Sequence, residues 1–131
     1  MNPPSSPGKA RVLIIDDDAF VRSAMKKVLD REGYEVAAAG GGAEGLQYLR
    51  TSRWNVVLLD QDMPDVPGEK VLKTINDERL EGSVIVFSTF AGEDQEQKFR
   101  DLGAAALVNK GVDIDALLAI VKKELARTGH G

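Results

Sequence analysis

Three consecutive aspartates, Asp16, Asp17 and Asp18, close the aliphatic run "VLII" at 12–15. One acid there could cap a helix, but three gather negative charge that folding alone does not require. The pattern recurs along the chain. "NVVLL" at 55–59 runs into Asp60, "SVIVF" at 83–87 into the hydroxyls of Ser88 and Thr89, and "AALV" at 105–108 into Asn109 and Lys110. Only "EVAAA" at 35–39 ends without a polar side chain, in "GGG" at 40–42. If these ends meet, carboxylates converge, and two like charges about 4 Å apart repel by roughly 4 kcal/mol at an effective dielectric of about 20. Something cationic must resolve that repulsion. Lys110 is one candidate and a bound divalent ion the other; an all-oxygen, water-sharing site of a few carboxylates suits Mg²⁺. Mg²⁺ beside a carboxylate and a lysine in turn suits a phosphoryl group, whose transfer rests on charge neutralisation and positioning.

The elements that must bring these residues together can be read from the apolar pattern. The five short aliphatic runs (11–15, 35–39, 55–59, 83–87 and 105–108) read as strands buried on both faces, the mark of a parallel sheet. Between them lie amphipathic helices. Met25, Val28 and Leu29 share one helical face, as do Val71, Leu72 and Ile75, and Ile114, Leu117, Leu118, Val121 and Leu125 form the clearest stripe. Gly33 and Gly103 read as helix stops. The stretch 92–102 is the weakest helix, anchored by Phe99 and Leu102, and is expected to be the most mobile. Five βα units in a row predict an α/β domain with an open, doubly wound five-stranded parallel sheet and helices on both faces. In such sheets the site lies outside the carboxyl ends of the strands, the edge to which four of the five deliver a polar group.

At 131 residues the chain is long enough for one well-buried core. It has no Cys, which excludes disulfides, zinc–thiolate centres and thiol catalysis and suits a reducing compartment. A net charge of -4 with scattered Lys and Arg argues against direct nucleic-acid contact. No stretch has the apolar core of a signal peptide or the length of a membrane span, so a cytoplasmic location and no membrane contact are expected. Residues 1–9, rich in Pro and Ser, and residues 128–131 read as tails around a domain at 10–127. His130 falls in the second tail, without partners for catalysis. "GGGAEG" at 40–45 lacks the Gly-Lys-Ser/Thr ending of a phosphate loop and reads as a helix entry loop, and Trp54 reads as packing. Arg22 and Lys26 lie one turn apart, as a partner contact or, more plainly, a solvated face.

Taken together, "LIIDDDAFVR", "VVLLDQDMPDVPGEKVL" with Met63, Pro64 and Gly68, the hydroxyl in "VIVFST" and the lysine in "GAAALVNK" resemble the CheY-like receiver domains of two-component response regulators, over essentially all of residues 10–127. The resemblance implies a flavodoxin-like strand order of 2-1-3-4-5 with five helices. It implies that Asp60 accepts a phosphoryl group from a sensor histidine kinase, a histidine phosphotransfer protein or a small phosphodonor. Asp17 then binds Mg²⁺ directly, Asp16 through water, and Asp62 through its backbone carbonyl. Lys110 pairs with the phosphoryl oxygens and Ser88 hydrogen-bonds one of them. Asp18 has no part in that pattern and is assigned to capping the first helix. The implied function is a signalling switch in a phosphorelay, which changes partner affinity at the last two helices and last strand, with homodimerisation on phosphorylation as one outcome. Enzymatic activity is limited to self-phosphorylation from small donors and autodephosphorylation. With no output domain after the fifth helix, the chain is expected to be a single-domain regulator or a fragment.

Several positions depart from the family pattern. Gly111 stands where a proline, often cis, usually follows the lysine, so that bond is either trans or strained. Leu107 occupies the place of an aromatic switch residue, three positions before the lysine. Thr89 and Phe90 follow the hydroxyl where a small residue is usual, and are expected to crowd Asp60 and slow its exchange. Asp62 adds charge, expected to favour Mg²⁺ over the phosphoryl anion. Two other readings compete: a pseudo-receiver that binds partners without taking phosphate, and a haloacid-dehalogenase-like phosphatase suggested by "DQDMP" at 60–64. Against the latter, its Asp-x-Asp motif belongs on the first core strand, and Asp60 follows the third.

Overall fold

The computed structural model describes residues 9–89 and 92–128, so the expected tails, apart from Lys9 and Thr128, and the expectations for Phe90 and His130 lie outside the described residues. Five strands alternate with five helices: β1 Arg11–Ile15, α1 Ala19–Arg31, β2 Glu35–Ala39, α2 Gly42–Thr51, β3 Val56–Asp60, α3 Gly68–Glu78, β4 Ser83–Ser88, α4 Glu93–Asp101, β5 Ala106–Asn109 and α5 Ile114–Arg127. All strand pairs are parallel and the order is β2-β1-β3-β4-β5, the doubly wound arrangement that the resemblance implied.

The alternation of side chains along each strand divides the core in two. Leu13, Ile15, Val57 and Leu59 face a layer built by Leu46 and Leu49 of α2, Val71, Leu72 and Ile75 of α3, and Phe99 of α4. Val12, Ile14, Val56 and Leu58 face the other layer, built by Met25 and Leu29 of α1 and Leu117, Val121 and Leu125 of α5. Phe99 is the one buried side chain of α4, and α4 is the shortest of the helices. No helix among the described residues is long and apolar enough to cross a membrane.

Local chemistry sets the helix ends. Gly33 and Gly103 end their helices at φ +88° and +96°, a region costly for residues with a Cβ. The glycine run is shorter as a loop than expected, because Gly42 already opens α2. Trp54 is buried, donates through Nε1 to the Tyr48 carbonyl at 3.1 Å, and carries the Arg11 guanidinium 4.4 Å from its ring centroid. It is a packing residue, as expected. Arg22 does not stand free beside Lys26: its Nη1 donates to the Asp16 carbonyl at 2.7 Å, while Lys26 pairs with Asp30.

Candidate functional site

The three aspartates after β1 have three different fates. Asp16 is buried at 6% exposure, and its Oδ1 accepts from the Asp18 amide at 2.9 Å. Asp17 is exposed. Asp18 is the N-cap of α1, where Oδ1 accepts from the amides of Phe20 at 2.8 Å and Val21 at 3.3 Å, the role assigned to it.

Asp60, the last residue of β3, is 1% exposed. Its Oδ1 accepts from Lys110 Nζ at 2.8 Å and from the Asp62 amide at 2.9 Å. Oδ2 is buried and has no hydrogen-bond partner among the described residues. One carboxylate oxygen each from Asp16, Asp17 and Asp60 lie within 4.8 Å of one another. An unbonded buried oxygen in an all-oxygen set of this size is the arrangement that a hard divalent cation completes, and Mg²⁺ fits it. Gly68 makes the strand end possible: a Cβ there would come 2.7 Å from the Asp60 carbonyl oxygen and 2.8 Å from the Gln61 Cα, so only glycine lets α3 begin this close.

Electrostatics follows from the burial. Burial pushes the Asp16 carboxyl up to about 6; the Asp18 amide opposes that, and the negative charge of Asp60 adds to it. Burial pulls the Lys110 ammonium down, but hydrogen bonds and charge from Asp60 and then Asp62 outweigh it and hold it above its ordinary value. For Asp62 burial works upward and loses to bonds from Thr89 and Lys110, leaving it below the usual carboxylate range.

Of the residues expected at the site, Asp16, Asp17, Asp60 and Lys110 line a single cleft of about 510 Å³. Ser88 ends β4, buried, one residue past Phe87, the register partner of Asp60. Asp62, expected to act through its backbone carbonyl, engages here through its carboxylate: Oδ2 accepts from Thr89 Oγ1 at 2.9 Å. Thr89, expected to crowd Asp60, is exposed and tied to Asp62. The described residues contain no cis peptide bond, so Lys110–Gly111 is trans. Leu107 packs against the α2–α4 layer of the core.

Two things were missed. The cleft has an apolar wall, from Val21, Ala24 and Met25 of α1 to Val112, Ile114 and Leu117 around the start of α5. Val112 and Phe20, the latter 88% exposed, are the large hydrophobic residues left open among the described ones. The loops beside the site are also tied from afar: Asp65 accepts from the Gly42 and Ala43 amides at 3.2 Å, and Gln61 Oε1 from the Glu69 amide at 2.7 Å. Partners 22, 23 and 8 residues apart leave no local signature.

Residues 12–122 match the model of the response regulator receiver domain. The chain is 32% identical over 117 residues to sporulation initiation phosphotransferase F of Bacillus subtilis, covering 88% of this chain and 93% of that protein. It is 31% identical over 112 residues to the transcriptional regulatory protein DltR of Streptococcus agalactiae, covering 86% of this chain and 50% of that protein. Among solved structures it is similar to a CheY-like response regulator receiver domain protein from Methanospirillum hungatei, with TM-score 0.84, 30% identity, and 91% and 95% of the two chains covered. The receiver domain of the Francisella response regulator 1452 superposes with TM-score 0.86 at 25% identity, covering 92% and 99%.

Proposed function

Because this chain belongs to the response regulator receiver domain family and is thus a regulatory phosphoacceptor domain of two-component signalling, we propose that it is a switch thrown by phosphorylation of Asp60. Asp16, Asp17 and Asp60, with the backbone carbonyl of Asp62, hold Mg²⁺, and Lys110 and Ser88 engage the phosphoryl oxygens. The observation that carries this reading is Asp60 itself, buried at a strand end with Lys110 on one oxygen and no partner for the other. A structural carboxylate would have both oxygens satisfied.

An Asp60 oxygen attacks phosphorus, the new O–P bond forms as the donor's P–N or P–O bond breaks, and the electron pair leaves with the donor. Lys110, 2.8 Å away, places its ammonium where the transferred oxygens gather charge. Mg²⁺, when bound, offsets the charge of the carboxylates and the phosphoryl group. Water later displaces the Asp60 carboxylate from phosphorus, which releases inorganic phosphate and resets the switch.

Receiver domains interact with histidine kinases or histidine phosphotransfer proteins. Here the incoming histidine approaches over Phe20 and Val112, beside the apolar wall of the cleft. Added charge at Asp60 shifts an existing equilibrium at α4, β5 and α5, with homodimerisation a candidate outcome and the cytoplasm the setting. The test is intact mass after incubation with acetyl phosphate and Mg²⁺. A single phosphoryl adduct that requires both Asp60, judged by Asp60→Asn, and the metal is expected. No adduct under any condition would make the domain a pseudo-receiver, and many turnovers of a phosphate monoester would make it a phosphatase.

A further inference from the structure

One carboxylate oxygen at the rim of the site accepts three donors. Asp62 Oδ2 receives Thr89 Oγ1 at 2.9 Å, the Thr89 amide at 3.3 Å and Lys110 Nζ at 3.3 Å. The same residue donates its own amide to Asp60 Oδ1 at 2.9 Å, the oxygen that also takes Lys110. Asp62 is thereby tied to the phosphoacceptor through its backbone, and to the end of β4 through its side chain. Lys110 is shared between the two acids.

We propose that Asp62 is a clasp: in the unphosphorylated protein it holds Thr89 and Lys110 together, and a phosphoryl group on Asp60 opens it. The inference rests on the phosphoacceptor reading of Asp60. A phosphoryl group brings more negative charge and three acceptor oxygens to a point where Lys110 is already within reach. Lys110 moves to the stronger acceptor, and Asp62 Oδ2 loses its cation while facing a new anion. Repulsion between the two then turns the Asp62 side chain outward, and Thr89 is released from both of its bonds. Because Thr89 directly follows Ser88, the end of β4 reports the state of Asp60 by loss of a tether, in a chain whose position 107 is leucine rather than an aromatic. Asp62 is a positioning residue here, acting on Lys110 and Thr89 without touching phosphorus.

The measurement is ¹⁵N NMR of the full chain, wild type and Asp62→Ala, with and without excess acetyl phosphate and Mg²⁺, with intact mass reporting the adduct. In unphosphorylated wild type the Thr89 amide should be rigid, with an order parameter of about 0.85, and in Asp62→Ala, which removes the acceptor, it should fall below about 0.6. Phosphorylation should move the wild-type Thr89 signal towards its position in the variant and leave Val84, at the far end of β4, unmoved. Thr89→Val, which removes the hydroxyl and keeps the shape, should show less than half the wild-type shift at that amide on phosphorylation. An adduct that forms while Thr89 stays as rigid as before overturns the clasp and leaves the phosphoacceptor reading standing. Equal Thr89 order in unphosphorylated wild type and Asp62→Ala overturns it as well. Absence of an adduct in wild type overturns both readings.

Discussion

Lys110 Nζ lies 2.8 Å from Asp60 Oδ1, an ion pair between a half-open lysine and an acid that is 1% exposed. On the proposed phosphoacceptor role of Asp60, Lys110 is the first cation that a transferred phosphoryl group would meet. Lys110→Ala should therefore slow formation of the acetyl phosphate adduct at least tenfold, about 1.4 kcal/mol of lost transition-state stabilisation. A time course of intact mass at fixed Mg²⁺ checks this, and an unchanged rate would remove Lys110 from the mechanism. Stability should fall as well, since truncation leaves Asp60 buried without its cation.

Asp16 makes a prediction about pH. Its carboxyl ionises at about 6 in the folded chain, against 3.8 for an unperturbed aspartate, so the folded state holds the proton more tightly than the unfolded one. The contribution to stability is complete below 3.8 and is lost as pH rises through about 6. At roughly 1.4 kcal/mol per pH unit, the metal-free protein gives up on the order of 3 kcal/mol from this group by pH 7. Asp16→Asn removes the titration. In EDTA the variant should be more stable than wild type at pH 7.5 and lose that advantage by pH 4, read as a difference in urea midpoints. Parallel pH profiles for the two proteins would contradict the assignment.

Gly68 ties the fold to the site. An alanine Cβ there meets two backbone atoms, the Asp60 carbonyl oxygen at 2.7 Å and the Gln61 Cα at 2.8 Å, and neither can swing aside. Gly68→Ala should cost about 1–3 kcal/mol in denaturant unfolding and shift the end of β3 enough to depress phosphorylation. A variant with wild-type stability and adduct yield would show that the α3 start yields more easily than its packing implies.

Much of this arrangement was legible before any coordinates. The central strands β1, β3 and β4 are buried on both faces, as their aliphatic runs implied. The edge strands β2 and β5, expected to be the same, are only half-buried because one side of each has no neighbour. The carboxyl-edge rule then places Asp16, Asp17, Asp60, Ser88 and Lys110 near one another without any contact being known. Asp18 could be read as a cap because capping is local. What escaped reading was long-range and polar. Asp65 capping α2, Gln61 capping α3 and Asp62 holding Thr89 each join residues whose separation follows from loop paths, and no periodicity encodes those paths. The apolar wall of the cleft escaped for a different reason. Met25, Ile114 and Leu117 carry the same helical spacing whether they fill a core or line its open margin, and two of the three are buried while also lining the cleft.

The metal supplies the last prediction. Three carboxylate oxygens within 4.8 Å, two of the acids buried, repel one another by roughly 3–4 kcal/mol per pair at an effective dielectric of about 20. A divalent cation that binds only the folded chain relieves this, and at about one hundred times its dissociation constant it adds about 2.7 kcal/mol of stability. For a domain of this size that is a rise of about 10 °C in melting temperature. Asp17→Asn and Asp60→Asn should each lose most of the Mg²⁺-dependent rise. Asp94→Asn, which removes an exposed acid of α4 outside the cluster, should keep it. Differential scanning calorimetry in EDTA and in excess Mg²⁺ makes the comparison. An equal rise in all four proteins would mean that the cation screens the surface in general, and the cluster at the end of β1 and β3 would then be no metal site.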